Sequence, residues 1–450
     1  MTTRVKETER KYEPVDTDGG LLAGVPGVTV VGGGEDLLLD AVYHDTADLR
    51  LARNGVTLRR RTGGEDAGWH LKLPLGDDAR DEIRAKATKD AKRVPKELTD
   101  LVLGLTRGEP LAPIAHIRTK RKRWELLDDD GRIAAEVVED DVMAQTLGET
   151  SEIKAWREIE VELVEGGGEV FDAVERTLGR PSDAPAKLLR LLGDRIPKEP
   201  KAADRITAYV RQQVAELRRQ DLRVRQDAED SVHQMRVASR RIRSILQAYK
   251  GSRSLREELR WLGGVLGEAR DLEVLREHLQ AEVDALPAEL VLGNVRQRLT
   301  ETFAPREQAA RAEVLETLRS KRYFTLLDRL DTLRIRSAKA RKRLRDTRRR
   351  VDRAWRNEAR GNGTLHDVRK AAKRARYVAE AAGKKKLARR MKKLTKRLGL
   401  HQDSVVARQE LRAIGVQSHL DGDNGFTYGL LHGRQQRRAE RVEESLRRKV

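Results

Sequence analysis

The chain has 450 residues, enough for two or three domains, and it contains no cysteine, which excludes disulfides and thiolate metal sites. Its formal charge of +20 is unevenly distributed: residues 1–200 hold 32 Lys and Arg against 40 Asp and Glu, whereas residues 201–450 hold 61 against 33. The second half would repel itself without anionic partners, so phosphate-rich molecules are expected to bind there.

No apolar run approaches the length of about 18 residues that a membrane-spanning helix needs. The first residues, Met-Thr-Thr-Arg-Val-Lys-Glu, contain no apolar signal core. The absence of cysteine fits a reducing compartment. We therefore expect a cytoplasmic protein that has no membrane partner.

Short strand-like segments separated by Gly, Pro and Asp dominate residues 4–165. Eight strands are predicted, at Arg4–Tyr12, Leu38–Tyr43, Gly55–Thr62, Trp69–Leu75, Arg80–Ala87, His116–Leu127, Arg132–Val138 and Ala155–Val164. Helices are predicted at 46–53, 95–107 and 169–178. So many short strands in under 200 residues indicate an antiparallel barrel or tunnel.

The segment 196–203 contains two closely spaced prolines, which resist a continuous helix. It is predicted to be a linker between a domain at 1–195 and a domain at 204–450. Beyond it the periodicity is helical almost throughout, and the very basic tract 334–350 is predicted to be a solvated helix.

Charged residues alternate along several of the predicted strands, so that period two gathers them on one face. The sets that share a face are Glu7, Glu9 and Lys11; Arg59 and Arg61; Glu82 and Arg84; Arg121 and Arg123; and Glu158, Glu160 and Glu162. These faces either point to solvent, as ordinary strand faces do, or point together into a tunnel, and periodicity does not choose between the two. The inward arrangement suits a metal-bound oligophosphate, because carboxylates bind Mg²⁺ or Mn²⁺ and cations clamp phosphate oxygens.

The motif Glu7-x-Glu9-x-Lys11 resembles the ExExK signature of the CYTH, or triphosphate tunnel metalloenzyme, family. Further matches follow in chain order: Tyr43–Thr46, Leu58–Arg61, Gly68–Pro74, Arg80–Arg84, Thr119–Arg121, the acidic segment ending at Asp140, Glu158–Glu160 and Pro185–Lys187. The ordered set spans nearly all of residues 1–195.

This resemblance implies an eight-stranded antiparallel tunnel that binds a triphosphate and a divalent metal, Mg²⁺ or Mn²⁺. The implied substrate-binding residues are Arg59, Arg61, Lys72, Arg84, Arg121, Arg123 and Lys187. The implied catalytic set is Glu7, Glu9, Lys11, Glu158 and Glu160. The implied metal ligands are Glu7, Glu9, Asp140, Glu158 and Glu160. Two acidic residues adjoin Asp140, so the choice of carboxylate there stays open, and Glu82 has no assigned role.

A helical motif occurs twice in the basic half, 133 residues apart. The copies read His233-Gln-Met-Arg236-Val-Ala-Ser-Arg240-Arg241-Ile-Arg243 and His366-Asp-Val-Arg369-Lys370-Ala-Ala-Lys373-Arg374-Ala-Arg376. At about 100° per residue, the histidine and three cations of each copy fall within an arc of about 80°, opposite an apolar face. Each copy is followed by a Leu-Gly phrase that ends at Asp271 or Asp403. A charged stripe is often only a solvated face, but its duplication favours a site for polyanions.

These motifs resemble the CHAD (conserved histidine α-helical domain) family over about 205–445, and CHAD domains are often fused behind a CYTH domain. The resemblance implies two four-helix bundles around a basic groove that binds inorganic polyphosphate. The implied binding residues are His233, Arg236, Arg240, Arg243, His366, Arg369, Lys373 and Arg376. The fold expected for the whole chain is α+β and multidomain, with the eight-stranded β-tunnel followed by an all-α domain of two pseudo-twofold-related four-helix bundles.

Nucleic acid is the less favoured partner, because residues 201–450 contain only ten aromatic side chains and few lie among the cationic stripes. Metal binding by His233 and His366 is disfavoured, since neither has a partner ligand at helical spacing. Two roles stay open for them, hydrogen bonding to phosphate and contact between the bundles. Asp271 and Asp403 are expected to orient neighbouring cations.

We expect a cytoplasmic enzyme, associated with polyphosphate granules, that hydrolyses inorganic triphosphate or another short triphosphate with a divalent metal. Its basic helical half would bind inorganic polyphosphate. The alternatives are a non-catalytic polyphosphate-binding or targeting protein, and a nucleotide or thiamine triphosphatase or an adenylate cyclase of the same tunnel family. The sequence does not indicate an oligomeric state.

Overall fold

The computed structural model describes residues 2–14, 29–32, 36–75, 78–87, 93–182, 184, 186–198, 201–335 and 340–447. Two compact units, residues 1–200 and 201–450, meet within the predicted 196–203 linker. Pro185, residues 199–200 and residues 336–339 of the basic tract lie outside the described residues.

The first unit is built on nine strands. They are β1 (Thr2–Tyr12), β2 (Thr29–Gly32), β3 (Leu37–Asp45), β4 (Thr57–Thr62), β5 (Gly68–Pro74), β6 (Ala79–Ala85), β7 (Ala112–Leu127), β8 (Ile133–Thr146) and β9 (Ile153–Leu163) in the described part of the unit. Eight of them close an antiparallel barrel in the order β7-β3-β4-β5-β6-β1-β9-β8, with β8 returning to β7. The short β2 adds to one end of β7, where Thr29 lies opposite Leu127. The predicted eight-stranded antiparallel barrel is therefore confirmed.

Three helices accompany the barrel: α1 (Lys96–Thr106), α2 (Gly168–Leu178) and α3 (Lys187–Leu192). Helix α2 packs on the outer face of the wall, where its Phe171 and Val174 join Ile159 and Val161 of β9 in one buried cluster. Because apolar side chains pack outside the wall, the polar residues that alternate with them face the interior.

The predicted helix at 46–53 is wrong. The buried carboxylate of Asp45 accepts hydrogen bonds from the backbone N–H groups of Thr46, Leu51 and Ala52, and wraps the chain into a tight loop. Only a 3₁₀ turn, Ala52–Asn54, follows. A short carboxylate that satisfies several local donors offers the backbone an alternative to the helix.

The second unit contains nine α-helices among its described residues. They are α4 (Arg205–Arg225), α5 (Ser231–Ala248), α6 (Arg253–Asp284), α7 (Val295–Arg319), α8 (Lys321–Asp331), α9 (Ala340–Ala359), α10 (Leu365–Ala381), α11 (Lys385–Leu420) and α12 (Phe426–Arg447). Helices α4 to α7 correspond in order to α9 to α12, with α8 as an addition between the two bundles. The expected fold of two related four-helix bundles is confirmed.

The two copies of the repeated motif lie on α5 and α10, and these helices pack against each other. Their apolar faces are buried in the cores of the bundles, as Met235 and Ile242 of α5 and Val368 and Ala375 of α10 show. The basic tract is helical from Ala340 onward, as part of α9, and it is largely exposed; the buried residues of α9 are Thr347 and Val351. No described helix is long and apolar enough to cross a membrane.

Two candidate phosphate sites

The inner face of the barrel is polar because β9 alternates strictly. Ile159 and Val161 are fully buried in the outer core, so Glu158, Glu160 and Glu162 point the other way. Glu160 and Glu162 help to enclose a cavity of about 440 Å³. Periodicity did not choose between inward and outward faces, although an outward face is the ordinary one for a single strand, and packing against α2 decides in favour of the interior.

A cluster of three carboxylates lies at one wall of this interior. Asp140 of β8 and Glu158 and Glu160 of β9 each offer an oxygen within 4.8 Å of the others. In the described part of the chain, no other group of three or more acidic or histidine side chains comes close enough to share an ion. Hard carboxylate oxygens are the donors that Mg²⁺ and Mn²⁺ prefer, so these residues fit a divalent metal.

Cations hold the three carboxylates in place. Lys187, the first residue of α3, places its Nζ 2.7 Å from Asp140, 2.9 Å from Glu158 and 2.6 Å from Glu160. Arg121 donates two hydrogen bonds of 2.7 Å to Asp140 and one of 2.9 Å to Glu160. Burial acts to raise the pKa of Glu158, but Lys11 and Lys187 lower it to about 2. Lys187 and Arg121 likewise hold the pKa of Asp140 well below its ordinary value, so Glu158 and Asp140 are ionised at neutral pH, as metal ligands must be.

The two acidic residues of the first motif lie in a separate group. Glu7 contacts Lys72 at 2.5 Å and Arg84 at 3.4 Å, and Arg80 lies 3.2 Å from Glu9. Burial acts to raise the pKa of Glu9, but Lys72, Lys11 and Arg80 lower it to about 2. Glu7 and Glu9 face the same cavity as the carboxylate cluster, yet they are not members of it.

The cavity gathers almost all of the predicted tunnel residues. Those that line it are Glu7, Glu9, Lys11, Arg59, Arg61, Lys72, Arg84, Arg121, Arg123, Glu160 and Lys187. Asp140 and Glu158 lie behind this lining, in contact with Lys187. Arg123 is at the rim, half exposed and bonded to Glu136 at 2.6 Å. An interior in which cations and carboxylates lie side by side suits a phosphate chain that carries a metal ion.

A second and larger cavity, of about 1190 Å³, lies between α5, α6, α10 and α11 of the helical unit. Seven of the eight predicted polyphosphate residues line it: His233, Arg236, Arg240, Arg243, His366, Arg369 and Lys373. Eleven Lys and Arg side chains but only three carboxylates form its wall. A concave surface with this imbalance raises the local concentration of anions.

The prediction that Arg376 faces this cavity is wrong. Glu380, one turn further along α10, binds the Nε of Arg376 at 2.7 Å and draws the guanidinium away. Arg374 and Lys370 line the cavity in its place. Helical periodicity places Arg376 on the right arc, but it cannot account for a carboxylate four residues away that captures the side chain.

Residues 6–183 match the CYTH domain family, and residues 208–412 match the CHAD domain family. The chain is 40% identical to the uncharacterized protein MT2285 of Mycobacterium tuberculosis (strain CDC 1551 / Oshkosh), over 98% of this chain and 94% of that protein. The chain belongs to the family of proteins that join a CYTH domain to a CHAD domain. Members of the CYTH family are triphosphate-tunnel enzymes that generally depend on divalent metals, and CHAD domains are linked to polyphosphate.

Two solved structures are similar to parts of the chain. PptA from Streptomyces chartreusis has 18% identity and a TM-score of 0.48, with 55% of this chain and 99% of that chain covered. The CHAD domain from the plant Ricinus communis has 24% identity and a TM-score of 0.44, with 54% of this chain and 89% of that chain covered.

Contacts of Arg236 explain the glycine and the aspartate of the Leu-Gly segment that follows the first copy of the motif. The guanidinium of Arg236 lies against Gly267 of α6 and binds both oxygens of Asp271, at 2.6 and 3.0 Å. A Cβ at position 267 would lie 2.9 Å from the guanidinium nitrogen Nη2, which is too close. Asp271 therefore orients a cation as expected. No ion pair within 4.0 Å joins Asp403 to Arg369 among the described residues, so the second copy lacks this clamp.

The difference between the two glycines gives a matched pair of substitutions. In Gly267→Ala, the new methyl displaces Arg236 from Asp271, so we expect polyphosphate to bind about three- to fivefold more weakly. In Gly399→Ala, the new Cβ would lie 3.5 Å from Arg369, an ordinary contact, so affinity should not change. Isothermal titration with polyphosphate measures both. Equal affinities in the two variants would contradict the positioning role of Gly267.

Cations from both copies of the motif are poorly compensated in the CHAD cavity. Burial, together with Arg240 and Arg369, lowers the pKa of Lys373, in the second copy, to about 7. Burial also lowers the pKa of Arg240 and of His233, both in the first copy. The buried Nε atoms of Arg240 and Arg369 have no hydrogen-bond partner among the residues that the structure describes. These groups face one another across the cavity without enough carboxylate to balance them, which is the state that an anionic ligand relieves.

The lowered pKa of Lys373 predicts a pH dependence of polyphosphate binding. Below pH 7 Lys373 is already protonated, whereas above pH 7 binding must restore the proton, because phosphate oxygens favour the charged form. Affinity should therefore fall as pH rises from 6 to 9, and binding at about pH 8 should take up a proton. Calorimetry in buffers of different ionisation enthalpy measures this uptake. We expect Lys373→Met to abolish most of it, and an unchanged uptake would assign the proton to another group.

The structure places the two predicted histidines in the CHAD cavity without choosing a single role for both. The Nδ1 of His366 lies 2.9 Å from the Oε1 of Gln402 on α11, an oxygen that can only accept. Nδ1 therefore carries the proton, and Nε2 is the atom left to meet a ligand. Because His366 and Gln402 both line the cavity, this bond fixes the orientation of the ring in the cavity wall.

Several functional residues were not predicted from the sequence. In the CYTH cavity they include Arg80, Tyr43 and Glu162, and burial together with Glu7 raises the pKa of Glu162 to about 7. Alternate residues of a strand share a face, so Arg80 lies on the same face of β6 as Glu82, and Glu162 lies on the same face of β9 as Glu160. Alternation could therefore have predicted both residues. In the CHAD cavity the additional cations come mainly from α6: Arg253, Arg256, Arg260 and Arg270. Their proximity depends on how α6 packs, which periodicity does not reveal.

The buried Glu82, which had no assigned role, anchors several cations of the CYTH cavity. Its Oε1 lies 3.0 Å from His70, 3.8 Å from Lys72 and 3.9 Å from Arg59, and its Oε2 binds Arg84. Burial acts to raise its pKa, but these partners lower it well below the ordinary value. Glu82 is placed to hold the cations in position.

Proposed function

We propose that the CYTH domain hydrolyses inorganic triphosphate with the help of a divalent metal. The observation that carries this proposal is the closed barrel interior in which Asp140, Glu158 and Glu160 converge among cations. Asp140, Glu158 and Glu160 would hold the metal, with Glu7 and Glu9 available on the neighbouring strand β1. When bound, Mg²⁺ or Mn²⁺ would polarise a phosphoryl oxygen and lower the pKa of a coordinated water.

The side chains of the tunnel divide the remaining work. Arg59, Arg121 and Lys187 would bind the non-bridging oxygens and stabilise the charge that develops on the transferring phosphoryl group. Glu82 would position Arg59, Lys72 and Arg84 through its contacts. Because these cations are already held by carboxylates in the folded protein, they require little rearrangement when the substrate enters.

We also propose that the CHAD cavity binds inorganic polyphosphate. Its support is the eleven cations and three carboxylates of the wall, together with a volume larger than that of the tunnel. Phosphate chains carry no bases, so recognition needs cations and no stacking platform. Binding here would keep the enzyme near polyphosphate granules in the cytoplasm.

Phosphate release from a panel of substrates tests the enzymatic proposal. The full chain is mixed with tripolyphosphate, long-chain polyphosphate, ATP or thiamine triphosphate, each with Mg²⁺, with Mn²⁺ and with chelator. We expect metal-dependent turnover that is fastest for tripolyphosphate. Turnover of ATP or thiamine triphosphate in preference would favour a nucleotide or thiamine triphosphatase, formation of cyclic AMP would favour a cyclase, and no turnover of any substrate would favour a binding protein.

A further inference from the structure

Two exposed segments of the CHAD domain are more basic than the cavity requires. They are α9 and the first thirteen residues of α11, 340–359 and 385–397, which both pack against α10, and we call them together the outer basic face. Eight exposed Lys and Arg side chains lie on α9, and seven lie on residues 385–397. The segment 385–397 contains no acidic residue at all. Within the described chain, no ion pair within 4.0 Å joins any of these fifteen cations to a carboxylate.

The first bundle provides an internal comparison, because α4 and the start of α6 occupy the corresponding positions. There several of the cations are paired: Arg219 with Glu216 at 2.8 Å, Arg225 with Asp221 at 3.1 Å, and Arg253 with Glu257 at 2.9 Å. The two copies share one fold, so solubility and packing do not require the surplus charge of the second copy. Unpaired cations at this density repel one another, and a bound polyanion is what would compensate them.

The outer basic face is continuous with the CHAD cavity. Helix α10 forms a wall of the cavity through Arg369 and Lys373, and it packs against α9 on another side. Val351 of α9, Ala375 of α10 and Met391 of α11 share one buried core, so the face and the cavity belong to the same bundle. Arg374 lies at the boundary: it lines the cavity, and after burial its pKa is lowered by Arg350 of α9 and Arg243 of α5.

We propose that the outer basic face binds the part of a long polyphosphate chain that extends out of the CHAD cavity past Arg374. This inference rests on the proposed polyphosphate binding of the cavity and adds a selectivity for chain length. A short chain would engage the cavity alone, whereas a long chain would also cover α9, which is about 30 Å long. The single aromatic residue of the face, Trp355, packs into the core, so the face offers no platform for bases.

A charge-matched pair of variants of the full chain tests this proposal. The first, Arg389→Gln, Arg390→Gln, Lys392→Gln and Lys393→Gln, removes four exposed cations of the outer basic face. The control, Arg296→Gln, Arg319→Gln, Lys321→Gln and Arg412→Gln, removes four exposed cations outside it. All eight side chains are on the surface, so both variants should fold, which circular dichroism checks. Binding of short-chain polyphosphate, long-chain polyphosphate and duplex DNA is measured at one ionic strength.

We expect the first variant to bind long-chain polyphosphate about tenfold more weakly than the control does, with equal affinity for short chains. If both variants lost the same affinity for long-chain polyphosphate, the effect would be one of net charge. If only DNA binding were lost, the face would be assigned to nucleic acid. Either result would overturn the proposal for the outer basic face, provided that short chains still bind. If the unmodified protein bound neither chain, the polyphosphate proposal for the cavity would fail as well.

Discussion

Glu160→Gln is expected to lower kcat/KM for metal-dependent tripolyphosphate hydrolysis by at least about 100-fold. Glu160 is one of the three clustered carboxylates, and it is the one that lines the cavity. The substitution keeps the shape of the side chain but removes a negative charge that contacts Lys187 at 2.6 Å and Arg121 at 2.9 Å. It weakens the metal site and leaves these cations less well held. Phosphate release under saturating Mg²⁺ or Mn²⁺ measures the effect.

Two controls separate this effect from a general loss of structure. Glu152→Gln removes an exposed carboxylate that pairs with Lys154 and lies outside the cavity, so it should retain activity. Polyphosphate binding by the CHAD domain of the Glu160→Gln protein should also be unchanged. Glu7→Gln and Glu9→Gln are expected to lose turnover too, because both residues face the same interior. Normal turnover by Glu160→Gln would remove the carboxylate cluster from the reaction.

The double substitution Arg240→Gln and Arg369→Gln is expected to weaken polyphosphate binding by about 100-fold, since hydrogen bonds from charged groups contribute about 1.5–3 kcal/mol each. The same variant should be more stable than the unmodified protein when no anion is present. Both guanidinium groups carry a buried Nε without a partner, and both lower the pKa of Lys373. Removing them relieves repulsion in the free protein and removes contacts in the complex.

Thermal unfolding and isothermal titration measure the two halves of this prediction. Arg296→Gln is the control: its side chain is exposed and pairs with Asp284 at 2.9 Å, so neither affinity nor Tm should change much. A rise in Tm together with a loss of affinity is the signature of cations that are held in place for a ligand. A fall in Tm with unchanged affinity would show that Arg240 and Arg369 serve the fold instead.

The sequence predicted the alternation of the barrel well, because each strand has an apolar face to bury and a charged face to turn inward. It did not predict that Asp140, Glu158 and Glu160 all contact Lys187. These contacts require α3 to begin at Lys187, and no helix was predicted there. The same limit explains Asp140, which lies in an acidic run that reads as the end of a strand but is the middle of the longer β8 (Ile133–Thr146). Pairing with Arg121 across β7 extends the strand through these charges.

In the CHAD domain the repeated motif predicted two helices that form the wall of the cavity, but not all of the residues that line it. Periodicity gives the direction of a side chain from its own helix axis, so it predicts that Arg236 and Arg240 share one face of α5, and both residues line the cavity. Periodicity does not show that a neighbouring side chain binds a cation, as Glu380 binds Arg376. It also does not show that α6 brings Arg256 and Arg260 into the wall of the cavity. Tertiary packing determines these features.

A crystal structure of the full chain with tripolyphosphate and Mn²⁺ tests most directly whether the barrel interior is a metal-dependent phosphate site. Anomalous scattering locates the manganese independently of the phosphate density. The result we predict is a manganese peak in contact with Asp140, Glu158 or Glu160, and a phosphate chain against Arg59, Arg121 and Lys187. Manganese and phosphate bound only on the outer surface of the barrel would contradict it.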